Sequence, residues 1–382
     1  MPMSNQPDTD PPAILAGVPP RYRRRARRLA LLLLLGMGAV AAGGCGPLRG
    51  VLPSRHQGPR TIRVTDAAAL DRAERLARPG DTVLVAAGTY RAMLDARVSG
   101  TRAAPIRFVA APGVTLDAAR GASGISVIGQ HDLEFSGFTV TGATAQGIWV
   151  GFAQRVRFSQ VRVLRNHAPG IQVKQAIGVT IDHSVIDGNL RAGIMELDGV
   201  RGDRYLADAI TGNGHDRLPF NGDGILLHGQ GSVVSDCDVS GNGDDLLHEH
   251  GIYVGGDATG YLLEGNDLNG NSAAGIKAEG SGSIRGNRIG SSRLAIDTED
   301  SSGDGILVQG NTITGRFQHV VLVGEHAQVR LWDNTVAASP SPTFGDHSPV
   351  LVIAGAALTT RGNHVVWGGR AWSSSFGLPE PS

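Results

Sequence analysis

Lysine is nearly missing from this chain of 382 residues. Only Lys174 and Lys277 stand among its 35 basic residues, which marks both positions without assigning them a role. Cysteine is almost as scarce. With only Cys45 and Cys237, at most one intrachain disulfide is available, so no disulfide framework holds the fold. Aromatic residues make up 5% of the chain, which excludes a bulky aromatic core. Acidic and basic residues balance at 35 each. No basic patch of the kind that grips nucleic acid stands out. The sequence also lacks a phosphate-binding glycine loop and a nucleophile elbow.

Glycine is abundant instead. Its 55 residues are about twice the usual share, and frequent tight turns follow. A Gly-Ile pair recurs at Gly124, Gly147, Gly170, Gly193, Gly224, Gly251 and Gly275, at spacings of 23, 23, 23, 31, 27 and 24 residues. Each pair opens a short apolar strand that ends in a Gly/Asn-rich turn. The extra length falls in one turn of two neighbouring repeats, which read GHDRLPFNGD after Asn213 and GDDLLHEH after Asn242. The regular part fixes a scaffold, and the two long turns are where function is expected.

The N-terminus reads as an address. RYRRRARR at 21–28 precedes the apolar run Leu29–Ala42, then Gly43, Gly44 and Cys45, the layout of an export signal. Fourteen apolar residues are short for a bilayer core of ~30 Å. Cys45 sits where a lipoprotein signal places its lipidated cysteine, so lipidation at Cys45 and a membrane partner through a lipid anchor are expected. Ordinary cleavage and an uncleaved anchor stay open. The expected organisation is a signal over 1–45, a tether over 46–60, an N-terminal cap and first coils over 61–120, repeats over 121–368 and a flexible tail over 369–382.

Asp66 can cap a helix over AAALDRAERLA, with Leu70, Ala73, Leu76 and Ala77 on one face. Such a helix suits a plug over the open end of a strand stack. From about Pro105 the repeat takes over, with three short β-branched strands per turn and no helical period. The second strand of each repeat aligns Phe138, Val161, Ser184, Asp208, Cys237, Asn266, Asn287, Asn311, Asn334 and Asn363 in one column, whose recurring Asn predicts a ladder of side-chain amides and a buried, inert Cys237. The fold class expected is all-β, a parallel solenoid with an N-terminal capping helix.

The stretches PGDTVLVAAGTY and RVSGTRAAPIRFVAAPGVTLD, with the Gly-Ile strands and Gly-Asn turns, resemble right-handed parallel β-helix proteins of the pectate-lyase-like superfamily. HGIYVGGDATGYLLEGNDLNGNSAAGI from His250, with His228 one coil earlier, resembles part of a mannuronan epimerase repeat, although LLHG stands here where that family has Asp-Pro-His-Asp. The resemblance implies an acidic or cell-envelope polysaccharide as partner. It also implies lyase or C5-epimerase chemistry, in which a base removes the sugar C5 proton and a cation stabilises the enolate-like charge. A non-catalytic envelope or adhesion module is the rival.

After each Gly the second and fourth places point inward and the third and fifth outward. The third-place column is Ser126, Trp149, Gln172, Met195, Leu226, Tyr253, Lys277 and Asp297; the fifth includes Lys174, His228, Glu279 and Glu299. His228, Tyr253, His250 and Lys277 are therefore the candidate catalytic residues, and His215, Arg217, Glu279 and Trp149 the candidate substrate contacts. Lys277 and Glu279 read equally well as a surface ion pair. Asp223, Asp244, Asp245 and Glu249 offer oxygens to calcium, although no defined loop motif matches. Glu196 falls at an inward place, so it must be hydrogen-bonded or sit on a bulge. A monomer is expected.

Overall fold

The computed structural model describes residues 58–118, 121–215, 222–290, 292–301, 305–343, 348–353 and 355–376. Cys45, the stretch expected as a signal, most of that expected as a tether, and Arg217 lie outside the described residues. From Thr61 onward the chain runs through short strands that repeatedly visit three sheets in turn. Sheet 1 has 13 strands and begins with Thr61–Val64, sheet 2 has 13 and begins with Gly88–Tyr90, and sheet 3 has 11, from Leu94–Ala96 to Val350–Val352. Pairing within the stack is parallel from coil to coil, so each strand lies on its counterpart one turn away. The chain is thus a β-solenoid.

The inward residues explain why it closes. Ile125, Val127, Ile148, Val150, Ile171, Val173, Ile194, Ile225, Ile252 and Val254 on sheet 3 are fully buried. Each such side chain contributes roughly 1.5–3 kcal/mol relative to exposure. The few aromatics are used in file: Phe108, Phe135 and Phe158 stack on consecutive rungs of sheet 1, with centroids 5.1 and 4.9 Å apart and rings within 13° of parallel.

The amide ladder forms as the column predicts. Between sheets 1 and 2, Asn266, Asn287, Asn311, Asn334 and Asn363 stack so that each of the first four passes a backbone N–H and a side-chain N–H to the next Oδ1, at 2.9–3.0 Å. Cys237 heads this run, its N–H donating to Asn266 Oδ1, and burial pushes its thiol up to about 12. A second ladder joins sheets 2 and 3 through Asn166, Asn189, Asn213, Asn242 and Asn271. That ladder gives the Gly-Ile pair its physical reason. A Cβ on Gly224 would meet Gly251 O at 2.6 Å and Asn242 Nδ2 at 2.7 Å, so a side chain there has no room.

A helix covers Ala67–Leu76, capped by Asp66 Oδ1, which accepts from Ala69 N at 2.7 Å. It packs against Leu94–Ala96, the edge strand of sheet 3. Its buried face differs from the expected one. Leu70 and Ala73 are buried, but Leu76 is 62% exposed and Glu74 takes the covered position. Glu74 tolerates this because burial raises its carboxyl to about 7, and Arg97 stands 3.7 Å away. At the far end Arg370–Trp372 pairs antiparallel with His364–Trp367, so ordered structure extends into the stretch expected as a tail. Among the described residues no helix is long and apolar enough to cross a membrane.

Candidate functional site

Glu249 shapes the wall beside sheet 3. Its Oε2 accepts from the N–H groups of Asp244 (2.7 Å) and Asp245 (2.9 Å), which curls 243–249 back on itself. Asp245 completes the curl by accepting from Leu247 N at 2.8 Å and pairing with His248 Nδ1 at 2.9 Å. Asp223 accepts the His250 N–H at 2.8 Å and ties the two long turns together. Burial, with Glu249 adding repulsion, raises Asp223 to about 8, so it is neutral at pH 7. Among the described residues no group of three His, Cys, Asp or Glu converges on a metal position. Of the residues offered to calcium, the side chains of Asp223, Asp245 and Glu249 accept backbone N–H bonds that fold the turns.

On the outer face of sheet 3, register sets Leu226, Tyr253, Lys277 and Asp297 on successive rungs. Lys277 Nζ lies 3.2 Å from Asp300, 3.6 Å from Glu279 and 3.9 Å from Asp297. Burial alone would lower its pKa, but Asp297, Asp300 and Glu279 together raise it. Lys277 is thus a fixed cation, which suits the charge-supplying one of the two roles open to a catalytic lysine here. Asp297, itself buried, is raised to about 6.

Tyr253 donates its hydroxyl to Glu279 Oε1 at 2.8 Å, and its ring sits 5.7 Å from that of His250. Burial first, then the bond to Glu279, raises the phenol pKa, and in this arrangement Tyr253 stands as a hydrogen-bond donor. His250 is 3% exposed, its Nδ1 accepts from Ala274 N at 3.2 Å, and burial lowers it to about 3. It stays neutral, its ring tilted beside that of Tyr253.

His228 differs from all of these. Its Nδ1 lies 2.6 Å from Asp257 Oδ1, and its side chain is 29% exposed. The ring covers Gly255, where a Cβ would come within 2.5 Å of His228 Cε1. With Nδ1–H donated to Asp257, Nε2 keeps the lone pair that can accept a proton. Of the four catalytic candidates, His228 alone has this arrangement.

The remaining candidates are placed as follows. Glu279 lies in the cluster and accepts from Tyr253, while His215 is exposed where the first long turn begins. Trp149 is only 6% exposed, its ring lying over Gly151, so it does not present an open stacking face. The inward Glu196 is fully buried and hydrogen-bonded, accepting from Tyr205 OH (2.9 Å), Ser232 Oγ (2.9 Å) and Gly229 N (2.8 Å). Asp257 and Asp300 were not among the candidates. Both occupy turns that follow a sheet-3 strand, where period-two counting stops and side chains can curl back over the face.

A family model described as right handed beta helix region matches residues 223–375. The fold is a right-handed parallel β-helix. The crystal structure of an alginate lyase from Paenibacillus sp. str. FPU-7 is 19% identical with a TM-score of 0.55, covering 69% of this chain and 99% of that one. PfbA, a surface adhesin of Streptococcus pneumoniae, is 11% identical with a TM-score of 0.55, covering 78% and 86%. A PL6 family polysaccharide lyase from Pseudopedobacter saltans is 12% identical with a TM-score of 0.53, covering 80% and 92%. At these identities the likeness concerns the β-helix alone. Among curated proteins, none matches this sequence.

Proposed function

We propose that this β-helix binds an acidic or cell-envelope polysaccharide along the outer face of sheet 3 and removes a sugar C5 proton there, as a uronate lyase or C5-epimerase. The observation that carries the reading is the His228–Asp257 pair, held at 2.6 Å on the face that also bears Tyr253 and Lys277. His228 Nε2 takes the proton; in a lyase the released pair forms the C4–C5 double bond as the C4–O bond breaks and its oxygen takes a proton from water, and in an epimerase water returns a proton to the opposite face of C5. Lys277 supplies the fixed positive charge that opposes the charge growing on the substrate carboxylate, and Tyr253 and Glu279 meet sugar hydroxyls. Lyases of alginate and other polysaccharides share the fold, which supports this class.

The rival is a non-catalytic carbohydrate-binding module. It is favoured by one feature: Lys277 already has three carboxylates within 4 Å. The adhesin with the same fold is in keeping with it. In either case the protein works outside the cytoplasm, on the export signal ending at Cys45. Incubation of the protein with alginate, pectate and glycosaminoglycans tests the reading, with ultraviolet absorbance reporting unsaturated ends. Binding without any product in lyase or exchange assays favours the rival.

A further inference from the structure

A cleft of about 260 Å³ opens on the outer face of sheet 1, away from the residues of the proposed site, lined by Arg102, Asp132, Glu134, Arg155, Arg157 and Thr180. Sheet register puts Glu134, Arg157 and Thr180 on consecutive rungs, ~4.8 Å apart. Two of the arginines are each clamped by an aspartate of a neighbouring coil. Arg155 Nε and Nη2 hold Asp132 at 2.7 and 3.0 Å, and Arg157 Nε and Nη2 hold Asp182, both at 2.8 Å. These bonds, Arg155 and Arg157 first, hold Asp132 and Asp182 down to about 2, so the clamps persist at any ordinary pH.

A clamped guanidinium is prepared for a ligand because the entropy of fixing it has already been spent on its carboxylate. Arg157 keeps Nη1 without a partner among the described residues, and its side chain is 55% exposed. Arg102 has no acceptor at all among the described residues. Asp182 offsets the charge of Arg157, with Glu134 on the neighbouring rung, and Glu134 is itself held by Arg107 Nε at 2.9 Å, which leaves Arg102 as the unmatched cation of the cleft. Thr180 adds a hydroxyl on the next rung.

We infer that this cleft is a carbohydrate subsite that takes a carboxylate-bearing sugar, its anion met by Arg102 and Arg157 and its hydroxyls by Glu134 and Thr180. The class of ligand rests on the polysaccharide reading above, whereas the place rests on the cleft alone. A polymer engaged here and on sheet 3 is held at two faces of the solenoid, which raises its effective concentration at the second face once the first is bound.

Calorimetric titration of the full chain with an oligogalacturonate, beside a neutral cello-oligosaccharide of equal length, tests this. Arg102→Glu breaks no bond within the described residues and is expected to weaken oligogalacturonate binding about tenfold, the worth of one charge-assisted hydrogen bond. Arg157→Gln is expected to act in the same direction, and circular dichroism checks that it folds. Lys277→Gln reports the sheet-3 site separately. Weakening by Arg102→Glu supports the cleft even if Lys277→Gln has no effect. Weakening by Lys277→Gln alone overturns it, as does equal binding of the neutral oligomer. Inorganic phosphate binding as tightly as the oligomer also overturns it, because the cleft would then read a bare anion.

Discussion

His228 Nδ1 and Asp257 Oδ1 lie 2.6 Å apart, although 29 residues separate them in sequence, because one full coil of the β-helix returns the chain to the same face. The carboxylate fixes which ring nitrogen carries the proton, and so makes Nε2 the acceptor. Asp257→Ala is expected to lower turnover about a hundredfold, the lower range of what positioned proton transfer contributes, while leaving KM nearly unchanged. Steady-state kinetics on the polymer that proves to be the substrate separates the two. A raised KM with normal turnover would make Asp257 a substrate contact instead.

Lys277 holds Glu279, Asp297 and Asp300 together. Lys277→Gln removes the charge from among three acids, so the variant is expected to be destabilised by about 1–3 kcal/mol, the cost of leaving partly buried polar groups unmet. Its urea midpoint gives the figure. Acidification should partly rescue it, since Asp297 already titrates at about 6 and protonation relieves the repulsion.

Gly224→Ala tests the packing account of the Gly-Ile repeat. The new Cβ would stand 2.6 Å from Gly251 O and 2.7 Å from both Asn242 Nδ2 and Val239 Cγ1. A loss of about 1–3 kcal/mol is expected, typical of overpacking, and is read by chemical denaturation. At Gly241 a Cβ would meet nothing within 4 Å, so substitution there is costly for a different reason: its left-handed backbone, with φ +64.

Stability should fall as pH rises through the neutral range. Asp208 and Asp223 are raised by burial to about 7 and about 8, so their folded-state values lie above the unfolded one. Their contribution is complete below about pH 4 and is lost as pH climbs through those values. Asp223→Asn keeps an oxygen for the His250 N–H and has no proton to lose. Its melting temperature is expected to decline less than that of the natural chain between about pH 6 and pH 9 in differential scanning calorimetry. Equal slopes would remove Asp223 from the account.

The scaffold was legible because it repeats. The amide column from Asn266 to Asn363 and the inward places after each glycine appear where counting puts them, and Lys277 does neighbour Tyr253 and Asp297. Chemistry was less legible, since residue type gives reach but not environment. Tyr253 and Lys277 are catalytic candidates by type, and what type does not show is the hydrogen bond to Glu279 and the ring of carboxylates that set their states. His250, another catalytic candidate, is buried. Asp257 was missed because it belongs to a turn, where no period predicts direction. Of the acids offered to calcium, Asp223, Asp245 and Glu249 accept backbone N–H bonds within and between the two long turns, a use that residue type alone does not show.

The most direct test is solvent exchange at sugar C5. The full chain is incubated with alginate or pectate in heavy water, and proton NMR follows deuterium at C5 together with unsaturated ends. The account predicts incorporation or elimination with the natural chain and neither with His228→Ala, while binding is retained. Exchange that survives His228→Ala, or no exchange and no binding with any uronate polymer, would contradict it.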